Sequence, residues 1–241
     1  MREPTDPTDR AKFAAARRAL DFVEPGMKLG LGTGSTAVHL VRLLAERPGA
    51  KDHVCVPTSS RTAALAAECG LRVTTLEEAG ALDLAIDGAD EFDPAMNLIK
   101  GGGGALLQEK IVAASAARMI VIADAGKAVA TLGAFALPVE VVRFGWRSTM
   151  TRVERLLAAE DVDGRGIRLR ERDGAPFVTD EGHHILDLDL RRIGDPAGLS
   201  SRLNELTGVV ETGLFIGLAE AAVVGSEDGT ADLVKKGAAR G

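Results

Sequence analysis

Residues 27–44 read MKLGLGTGSTAVHLVRLL and contain three patterns in succession. Met27 to Leu31 form a short apolar run that predicts a buried strand. Gly32 to Ala37 form a glycine turn, and the apolar residues that follow recur with the spacing of a helix. A strand, a glycine turn and a helix that starts with Ser and Thr are typical of an anion site, because free amides and the positive end of the helix dipole meet there. An ordinary tight turn with a capping hydroxyl explains the same residues equally well.

The turn also matches the dinucleotide fingerprint G-x-G-x-x-A when it is read from Gly32. The next predicted strand, His53 to Val56, argues against a dinucleotide. It ends in Pro57-Thr58-Ser59-Ser60 and not in the acidic residue that holds a ribose hydroxyl. A single phosphate group therefore fits the turn better.

Strands and helices alternate on both sides of this stretch. Beyond it, the predicted helices are 9–23 (with Thr8 as N-cap), 61–69 and 105–118, and the predicted strands are 53–56, 81–86 and 119–123. Such alternation predicts a parallel sheet with right-handed crossovers. The unusual glycine, hydroxyl and charged residues gather at the strand ends, in 32–36, 57–60, 87–91 and 124–127. Because open α/β sheets bind ligands beyond the carboxyl ends of their strands, we expect these loops to form one crevice.

Two of the loops carry unusual chemistry. Asp87-Gly88-Ala89-Asp90-Glu91 collects three carboxylates within five residues. Because carboxylates repel one another, a merely structural turn would rarely collect them. A solvated loop with an Asx turn is the alternative. Lys100 leads into Gly101-Gly102-Gly103-Gly104, and ordering four glycines costs backbone entropy. The run predicts a close approach of the backbone, or amides turned toward a ligand, with a flexible loop as the alternative.

The helix after the glycine run places Glu109 among small apolar residues. Leu107, Ile111 and Ala114 share an apolar stripe, whereas Glu109 lies beside Ala105 and Val112. A carboxylate there indicates a function or a buried partner, although a favourable interaction with the helix dipole is the simpler reading. Lys28 and Lys110 are predicted to be solvated.

The pattern changes after Leu137-Pro138. The predicted elements are strand 139–142, helix 148–159, strands 167–172 and 176–179 joined around Asp173-Gly174, strand 184–190, helix 196–206 and strand 209–215. This order is close to β-α-β-β-α-β with an extra hairpin strand. The fold class is therefore α/β, an open, mostly parallel, Rossmann-like sheet flanked by helices, with an inserted smaller α+β (ferredoxin-like) domain. Residues 1–137 plus 216–241 form the predicted catalytic domain, and residues 138–215 form a lid or assembly domain.

Composition limits the class of protein further. The chain has 241 residues, of which 46% are hydrophobic and 3% aromatic, with no Tyr. Its net charge of −6 and its lack of a long basic run argue against binding nucleic acid. No apolar tract is long enough to span a bilayer and no signal peptide is visible, so a cytoplasmic protein without a membrane partner is predicted. Cys55, Cys69 and the four scattered histidines show no metal-ligand spacing.

Four motifs together resemble the ribose-5-phosphate isomerase type A family. They are Gly32-Thr33-Gly34-Ser35-Thr36, Asp87-Gly88-Ala89-Asp90-Glu91, Lys100-Gly101-Gly102-Gly103 with Glu109, and Ala123-Asp124-Ala125-Gly126-Lys127. The resemblance covers nearly the whole chain, and four motifs in order at compatible spacing are highly specific. Gly104 departs from the family pattern, in which alanine is common, and this difference affects the stiffness of the loop.

The resemblance implies interconversion of D-ribose 5-phosphate and D-ribulose 5-phosphate, in the non-oxidative branch of the pentose phosphate pathway. It implies a homo-oligomer, a dimer or a tetramer, that needs no metal and no organic cofactor. Glu109 would be the base, with Lys100 and Asp87 as further catalytic residues. The substrate-binding residues implied by the family are Lys12, Thr33, Gly34, Ser35, Thr36, Asp87, Gly88, Ala89, Asp90, Lys100, Gly101, Gly102, Gly103 and Lys127.

The chemistry agrees with those roles. Moving a carbonyl between C1 and C2 needs one base that takes a proton from one carbon and returns it to the other. Apolar surroundings should raise the pKa of Glu109 toward the working pH. Lys100 and the glycine amides can stabilise the oxyanion, whereas Asp87 and Asp90 can hold hydroxyls or help to open the sugar ring, and their roles stay open. The rival readings are a sugar-phosphate sensor domain and a sugar-phosphate deaminase or coenzyme A transferase of the same fold.

Overall fold

A computed structural model describes residues 3–237 of the chain. The α-helices in this range are α1 (Pro7–Ala19), α2 (Ser35–Ala45), α3 (Ser60–Glu68), α4 (Leu76–Ala79), α5 (Leu106–Ala114), α6 (Trp146–Leu157) and α7 (Pro196–Asn204). The strands are β1 (Lys28–Leu31), β2 (Val54–Pro57), β3 (Arg72–Val73), β4 (Leu84–Gly88), β5 (Glu91–Phe92), β6 (Leu98–Ile99), β7 (Met119–Asp124), β8 (Leu137–Val141), β9 (Gly166–Leu169), β10 (Glu171–Arg172), β11 (Ala175–Pro176), β12 (His184–Asp189), β13 (Val209–Thr212), β14 (Leu214–Phe215), β15 (Ala221–Gly225) and β16 (Ala231–Lys235).

The largest sheet has the strand order β16-β15-β7-β4-β1-β2-β3. The six strands from β15 to β3 are parallel, and β16 joins the edge in the antiparallel direction. The predicted mostly parallel α/β sheet is therefore confirmed. Residues 221–224, which were expected to return to the first part of the chain, lie in β15 between β7 and β16.

Helix α1 lies directly on this sheet. Its N-cap is Asp6, whose side chain accepts the Asp9 amide, so the expected cap at Thr8 is wrong by two residues. A Cβ atom on Gly225 of β15 would lie only 1.8 Å from the carbonyl oxygen of Ala11. The missing side chain at residue 225 therefore allows the close approach that fixes the height of α1 above the sheet.

The core of this part is built from small and aliphatic side chains on both faces of the sheet, as the low aromatic content requires. One buried cluster includes Leu29, Leu31, Leu40, Leu84 and Ile86 between the sheet and helices α1 and α2. The cluster on the opposite face includes Val121, Ala123, Leu98 and Phe215. The strand ends that carry the unusual residues are thus held by a sheet that is buried on both faces.

A second, antiparallel sheet has the order β13-β8-β12-β9 and packs with helices α6 and α7. Its core also takes in Ile99, Leu132 and Leu214 from neighbouring segments. We keep the division into 1–137 plus 216–241 and 138–215 as a proposal; residues 1–2 and 238–241 lie outside the described range.

Three predicted elements differ from the structure. Helix α5 ends at Ala114 and not at residue 118. The hairpin turn at Asp173-Gly174 is present, with both residues at positive φ, but it joins only the short strands β10 and β11. The strand expected over 209–215 is two strands in different sheets, separated by Gly213. Within residues 3–237, no helix combines the length and the apolarity that crossing a membrane requires.

Candidate active site

The loops that follow β1, β4 and β7 meet the glycine run at one open pocket of about 610 Å³. The lining residues are Lys12, Thr33, Gly34, Ser35, Thr36, Ala37, Gly88, Ala89, Asp90, Lys100, Gly101, Gly102, Gly103, Glu109, Ala123, Asp124 and Lys127. Of the site residues predicted above from the sequence, all but Asp87 line this pocket. Asp87 lies behind the pocket wall, against Lys100.

The turn after β1 is built around Asp87. Its Oδ1 accepts the Thr33 amide at 3.1 Å and the Gly88 amide at 2.7 Å. A Cβ atom on Gly32 would lie 2.0 Å from the same oxygen, so only glycine fits. Gly34 has a φ of 127° and precedes α2, whose first amides therefore face the pocket. The first turn of a helix beside an open pocket can receive an anion.

A cluster of buried hydroxyls fixes this turn from below. Thr33 Oγ1 contacts Thr58 Oγ1 at 2.9 Å, Ser59 Oγ at 2.8 Å and Thr62 Oγ1 at 3.1 Å. Thr62 also donates to the carbonyl oxygen of Gly32 at 3.1 Å. Residues 57–60 were expected to form the crevice with the other loops, but they do not line this pocket and support the turn from behind it. The sequence missed Thr62. The available signal was the capping pattern at the start of α3, where Ser59 accepts the Thr62 amide.

Lys100 lies at the centre of the site with only 2% of its side chain exposed. Its Nζ lies 2.9 Å from Asp87 Oδ2 and 3.3 Å from Glu109 Oε1, and it donates to the carbonyl oxygen of Gly88 at 2.6 Å. Its backbone amide donates to the carbonyl oxygen of Gly213 at 2.9 Å. A buried ammonium is stable only with such partners, because its desolvation must be offset by ion pairs and hydrogen bonds.

Glu109 is buried on the inner face of α5, with 5% of its side chain exposed. Oε1 faces Lys100, whereas Oε2 is buried and has no hydrogen-bond partner among the residues that the structure describes. An unpaired carboxylate oxygen beside a pocket is free to take a proton from a bound molecule.

Burial dominates the electrostatics of the two carboxyl groups. Burial raises the pKa of Glu109 to about 8, although the charge of Lys100 opposes this shift. Burial also raises the pKa of Asp87, again against the charge of Lys100. For Lys100, burial disfavours the charge, but the carboxylates of Asp87 and Glu109 outweigh it and raise the pKa above its ordinary value. The cluster therefore pairs a cation that stays charged with a carboxyl group that can titrate near neutral pH.

The glycine run forms another wall of the pocket. Gly101 and Gly104 have positive φ, of 105° and 85°. The Gly102 amide donates to Asp90 Oδ2 at 2.7 Å. A Cβ atom on Gly104 would lie 2.4 Å from the ring of Phe177, so the departure from the family pattern coincides with a close packing contact. These positions explain the glycines by close approach, as expected.

Two lysines also line the pocket. Lys12 extends from α1, and Lys127 ends a 3-10 turn, Ala125–Lys127, that Asp124 caps by accepting the Gly126 amide at 3.0 Å. Both side chains are half-buried. With the amides of α2 they surround the position where an anionic group would bind.

Helix α5 presents a different face from the one expected. Its buried residues are Leu106, Glu109, Val112 and Ala113, whereas Ile111 on the predicted apolar stripe is 47% exposed. Lys110 is not solvated either, because its Nζ lies 2.7 Å from Glu211 Oε1 and burial lowers its pKa against that partner.

Lys28 was also predicted to be solvated, and it is half-buried. Its Nζ donates to the carbonyl oxygen of Ala79 at 2.6 Å. Neither lysine contributes to the pocket. Within residues 3–237, no group of three His, Cys, Asp or Glu side chains is arranged to hold a metal ion.

Comparison with known proteins agrees with this fold. The family model described as ribose 5-phosphate isomerase A (phosphoriboisomerase A) matches residues 54–229. A ribose-5-phosphate isomerase A of Dinoroseobacter shibae is 60% identical over 229 residues, which cover 94% of this chain and 88% of the relative. One from Cereibacter sphaeroides is 60% identical over 236 residues, covering 97% and 94%.

Solved structures give the same result. The ribose 5-phosphate isomerase of Plasmodium falciparum has a TM-score of 0.88 and 36% identity, covering 95% of this chain and 99% of that one. A D-ribose-5-phosphate isomerase in complex with phospho-erythronic acid has a TM-score of 0.86 and 36% identity, covering 93% and 97%. This chain belongs to the ribose 5-phosphate isomerase A family.

Proposed function

We propose that this protein interconverts D-ribose 5-phosphate and D-ribulose 5-phosphate, as part of the pentose phosphate pathway, with Glu109 as the base. The observation that carries the proposal is the buried ion cluster, in which Lys100 Nζ lies between Asp87 and Glu109 while Glu109 Oε2 stays unpaired beside the pocket. Membership of a family of aldose–ketose isomerases supports this assignment, because that reaction moves one proton between two carbons.

The substrate phosphate binds at the start of α2. Amides and hydroxyls of Gly34, Ser35 and Thr36 receive its oxygens, and Lys12 and Lys127 add positive charge. The sugar chain then runs toward Glu109, past the backbone of Gly88 and Ala89. Support for this orientation comes from the lining of the pocket, which includes both the start of α2 with the two lysines and the buried pair of Lys100 and Glu109.

The reaction needs two proton shifts that balance. The Glu109 carboxylate takes the proton from C2 of the open-chain aldose, and the electron pair moves onto the carbonyl oxygen at C1 to give an enediolate. Glu109 then returns the proton to C1, while the hydroxyl proton on O2 is transferred to O1. Lys100 and the amide of Gly103 stabilise the oxyanion, and one such donor is typically worth about 3–4 kcal/mol in the transition state.

The sugar ring must open before this step. Asp90 lines the pocket, whereas Asp87 lies behind Lys100. We therefore assign contact with the sugar hydroxyls and assistance in ring opening to Asp90, and we assign the orientation of Lys100 and of the turn at Thr33 to Asp87.

A sugar-phosphate sensor is the rival from another class. Binding alone would not need a buried Glu109 whose pKa is raised, since desolvating that carboxyl group costs free energy without improving affinity for an anion. A deaminase or coenzyme A transferase is the rival of similar fold, and family membership does not favour it.

The test is to incubate the purified protein with D-ribose 5-phosphate in deuterated water containing excess chelator, and to follow the sugars by NMR. We expect D-ribulose 5-phosphate and deuterium at the exchanged carbon, undiminished by the chelator. A sensor would bind the sugar phosphate without forming product. Absence of both product and exchange would contradict the isomerase function.

We further propose that the protein works as a homo-oligomer in the cytoplasm, where its charged substrate is retained. Residues 138–215 would serve as the lid or assembly domain. The exposed apolar side chains Phe144 and Val142 lie in this segment, which supports a role in association.

A further inference from the structure

One side chain of the antiparallel sheet reaches the glycine run of the pocket. Arg170 directly follows β9, and only 13% of its side chain is exposed. One of its terminal nitrogens, Nη1, donates to the carbonyl oxygen of Gly101 at 2.7 Å and to that of Gly102 at 3.3 Å. Arg170, which belongs to the antiparallel part of the chain, therefore binds two successive carbonyl groups of the glycine run that lines the pocket.

Asp187 of β12 fixes the guanidinium from the opposite side. Its Oδ2 accepts Nε of Arg170 at 3.0 Å, and its Oδ1 accepts Nη2. Arg170 and Asp187 form a bidentate salt bridge, and the Asp187 side chain is only 7% exposed. A planar guanidinium held in this way has little freedom to turn, so the carbonyls that it binds are fixed as well.

The geometry of the peptide unit transmits this constraint to the pocket. In a planar trans peptide, the carbonyl and the amide point in opposite directions. A guanidinium that holds the carbonyls of Gly101 and Gly102 therefore directs the amides of Gly102 and Gly103 away from itself. The Gly102 amide accordingly meets Asp90 Oδ2 at 2.7 Å, and Gly103 lines the pocket. Glycines lack the side chains that would otherwise restrict these peptides, so an external clamp has a large effect.

We propose that Arg170, oriented by Asp187, is a positioning residue for catalysis: it sets the direction of the Gly103 amide, which binds the developing oxyanion, and of the Gly102 amide, which holds Asp90. This inference rests on the proposed isomerase function. It gives the α+β part of the chain a direct role in the chemistry, through contacts that do not touch the substrate.

Arg168 provides a matched control on the same strand. Its Nε lies 3.8 Å from Asp187 Oδ2, but 76% of its side chain is exposed. It therefore shares the acidic partner of Arg170 but does not bind the glycine carbonyls. Among the side chains of residues 3–237, Arg170 is the one that binds them, and the Gly104 amide also donates to the carbonyl oxygen of Gly101 at 3.0 Å. A difference between variants at these two positions isolates the contact with the glycine run from the general effect of removing a cation near Asp187.

The experiment compares steady-state kinetics of Arg170→Ala and Arg168→Ala with wild-type enzyme, after thermal unfolding has shown that the variants fold. For Arg170→Ala we expect kcat to fall by about tenfold or more with a smaller change in KM, because misplaced oxyanion donors cost transition-state stabilisation. For Arg168→Ala we expect turnover close to that of the wild type.

Chemical rescue distinguishes positioning from a merely structural role, because added guanidinium would not restore turnover if Arg170 only stabilised the fold. Gly102, Arg168, Arg170 and Asp187 line an open cavity through which a small cation can reach Asp187. Added guanidinium at low millimolar concentration should raise the turnover of Arg170→Ala saturably, and it should not raise that of Arg168→Ala.

Arg170→Lys keeps the proposal falsifiable if the alanine variant fails to fold. Lysine preserves a charge for Asp187 but lacks the guanidinium fork, so we expect a folded enzyme with reduced kcat. Wild-type kcat in folded Arg170→Ala or Arg170→Lys would overturn the positioning role. A wild-type enzyme without isomerase activity would instead overturn the proposed function, so the two failures are distinct.

Discussion

Glu109 is buried on α5. The sequence around Glu109 gave one correct prediction, the burial of its side chain, and one wrong prediction, the buried face of α5. Its apolar neighbours on α5 indicated a buried carboxylate, and burial with a raised pKa is what the structure contains. The same spacing gave the wrong apolar stripe, because Ile111 is exposed while the helix turns Glu109 inward to Lys100. Periodicity measures which residues share a face, but it does not state which face is buried when an ion pair replaces an apolar contact.

Replacing Glu109 by Gln should remove the base while preserving its shape. We expect kcat to fall by roughly 10²- to 10⁴-fold, the usual contribution of a general base. D-ribose 5-phosphate should still raise the melting temperature of the variant, which would show an intact pocket. Glu181→Gln is the control, since Glu181 is exposed and binds Gln108 outside the pocket. Near-normal turnover in Glu109→Gln would mean that another carboxylate is the base.

The raised pKa of Glu109 predicts the pH dependence of activity. The carboxylate is the reactive form, and its pKa in the folded protein is about 8. We therefore expect kcat/KM to rise with pH between 6 and about 8 and to level off above it. A pH–rate profile measures this, and a profile that is flat from pH 6 to pH 9 would contradict the assignment.

The same group affects stability with a defined sign. The folded state keeps the Glu109 proton at pH values where the unfolded chain, with an ordinary pKa of 4.5, has lost it. The free energy of unfolding that Glu109 contributes is therefore full below pH 4.5 and is lost as the pH rises to about 8. Thermal unfolding of wild type and Glu109→Gln should show the variant gaining relative stability from pH 5 to pH 8. A constant difference would argue against the shift.

At the scale of elements, local patterns located most of the helices and the central strands, but the junctions depended on long-range contacts. The predicted strand over 209–215 has apolar residues at both ends, yet it divides at Gly213 because β13 pairs with β8 while β14 pairs with β6. The short strands β3, β5 and β6 have two residues each, too few for a periodicity. Arg170 was missed for a related reason, since nothing in its neighbourhood indicates a distant loop.

Gly213 also predicts how this junction supports the site. Its carbonyl oxygen accepts the Lys100 amide, and a Cβ atom there would lie 2.3 Å from the Lys100 carbonyl oxygen. Gly213→Ala should displace Lys100, reduce kcat/KM by about tenfold or more and destabilise the protein by about 1–3 kcal/mol. Kinetics and chemical denaturation measure both effects.

Gly166→Ala in β9 is the control for that substitution. Its new Cβ would meet the Cβ of the exposed Asp189 at 3.3 Å, and that side chain can shift. We expect little change in activity or stability. Equal behaviour of the two variants would contradict a special role for Gly213.

For the whole molecule, family motifs predicted far more than composition did. Composition indicated an aliphatic core and an acidic protein, whereas the four motifs marked the loops that now line one pocket. The sequence left association open, because an interface depends on how surfaces match.

The proposed homo-oligomer predicts a molar mass of two or four chains of 25.1 kDa each. Phe144 is 93% exposed in the single chain. Exposing a large apolar side chain to water costs free energy, and association would remove this cost by burying it. Light scattering coupled to size-exclusion chromatography at assay concentration measures the mass. A particle with the mass of one chain would contradict the proposal.

The position of β15 has a consequence for the order of events during synthesis. Helix α1 leaves the ribosome well before β15, one of the elements on which it packs, together with α2 and β7. Until residues 221–225 emerge, α1 lacks one of its packing surfaces and β7 has an unpaired edge. The antiparallel sheet, complete by residue 212, can form earlier. The nascent chain can therefore complete the antiparallel sheet, in which Asp187 holds Arg170, before α1 and its Lys12 gain their contacts with β15.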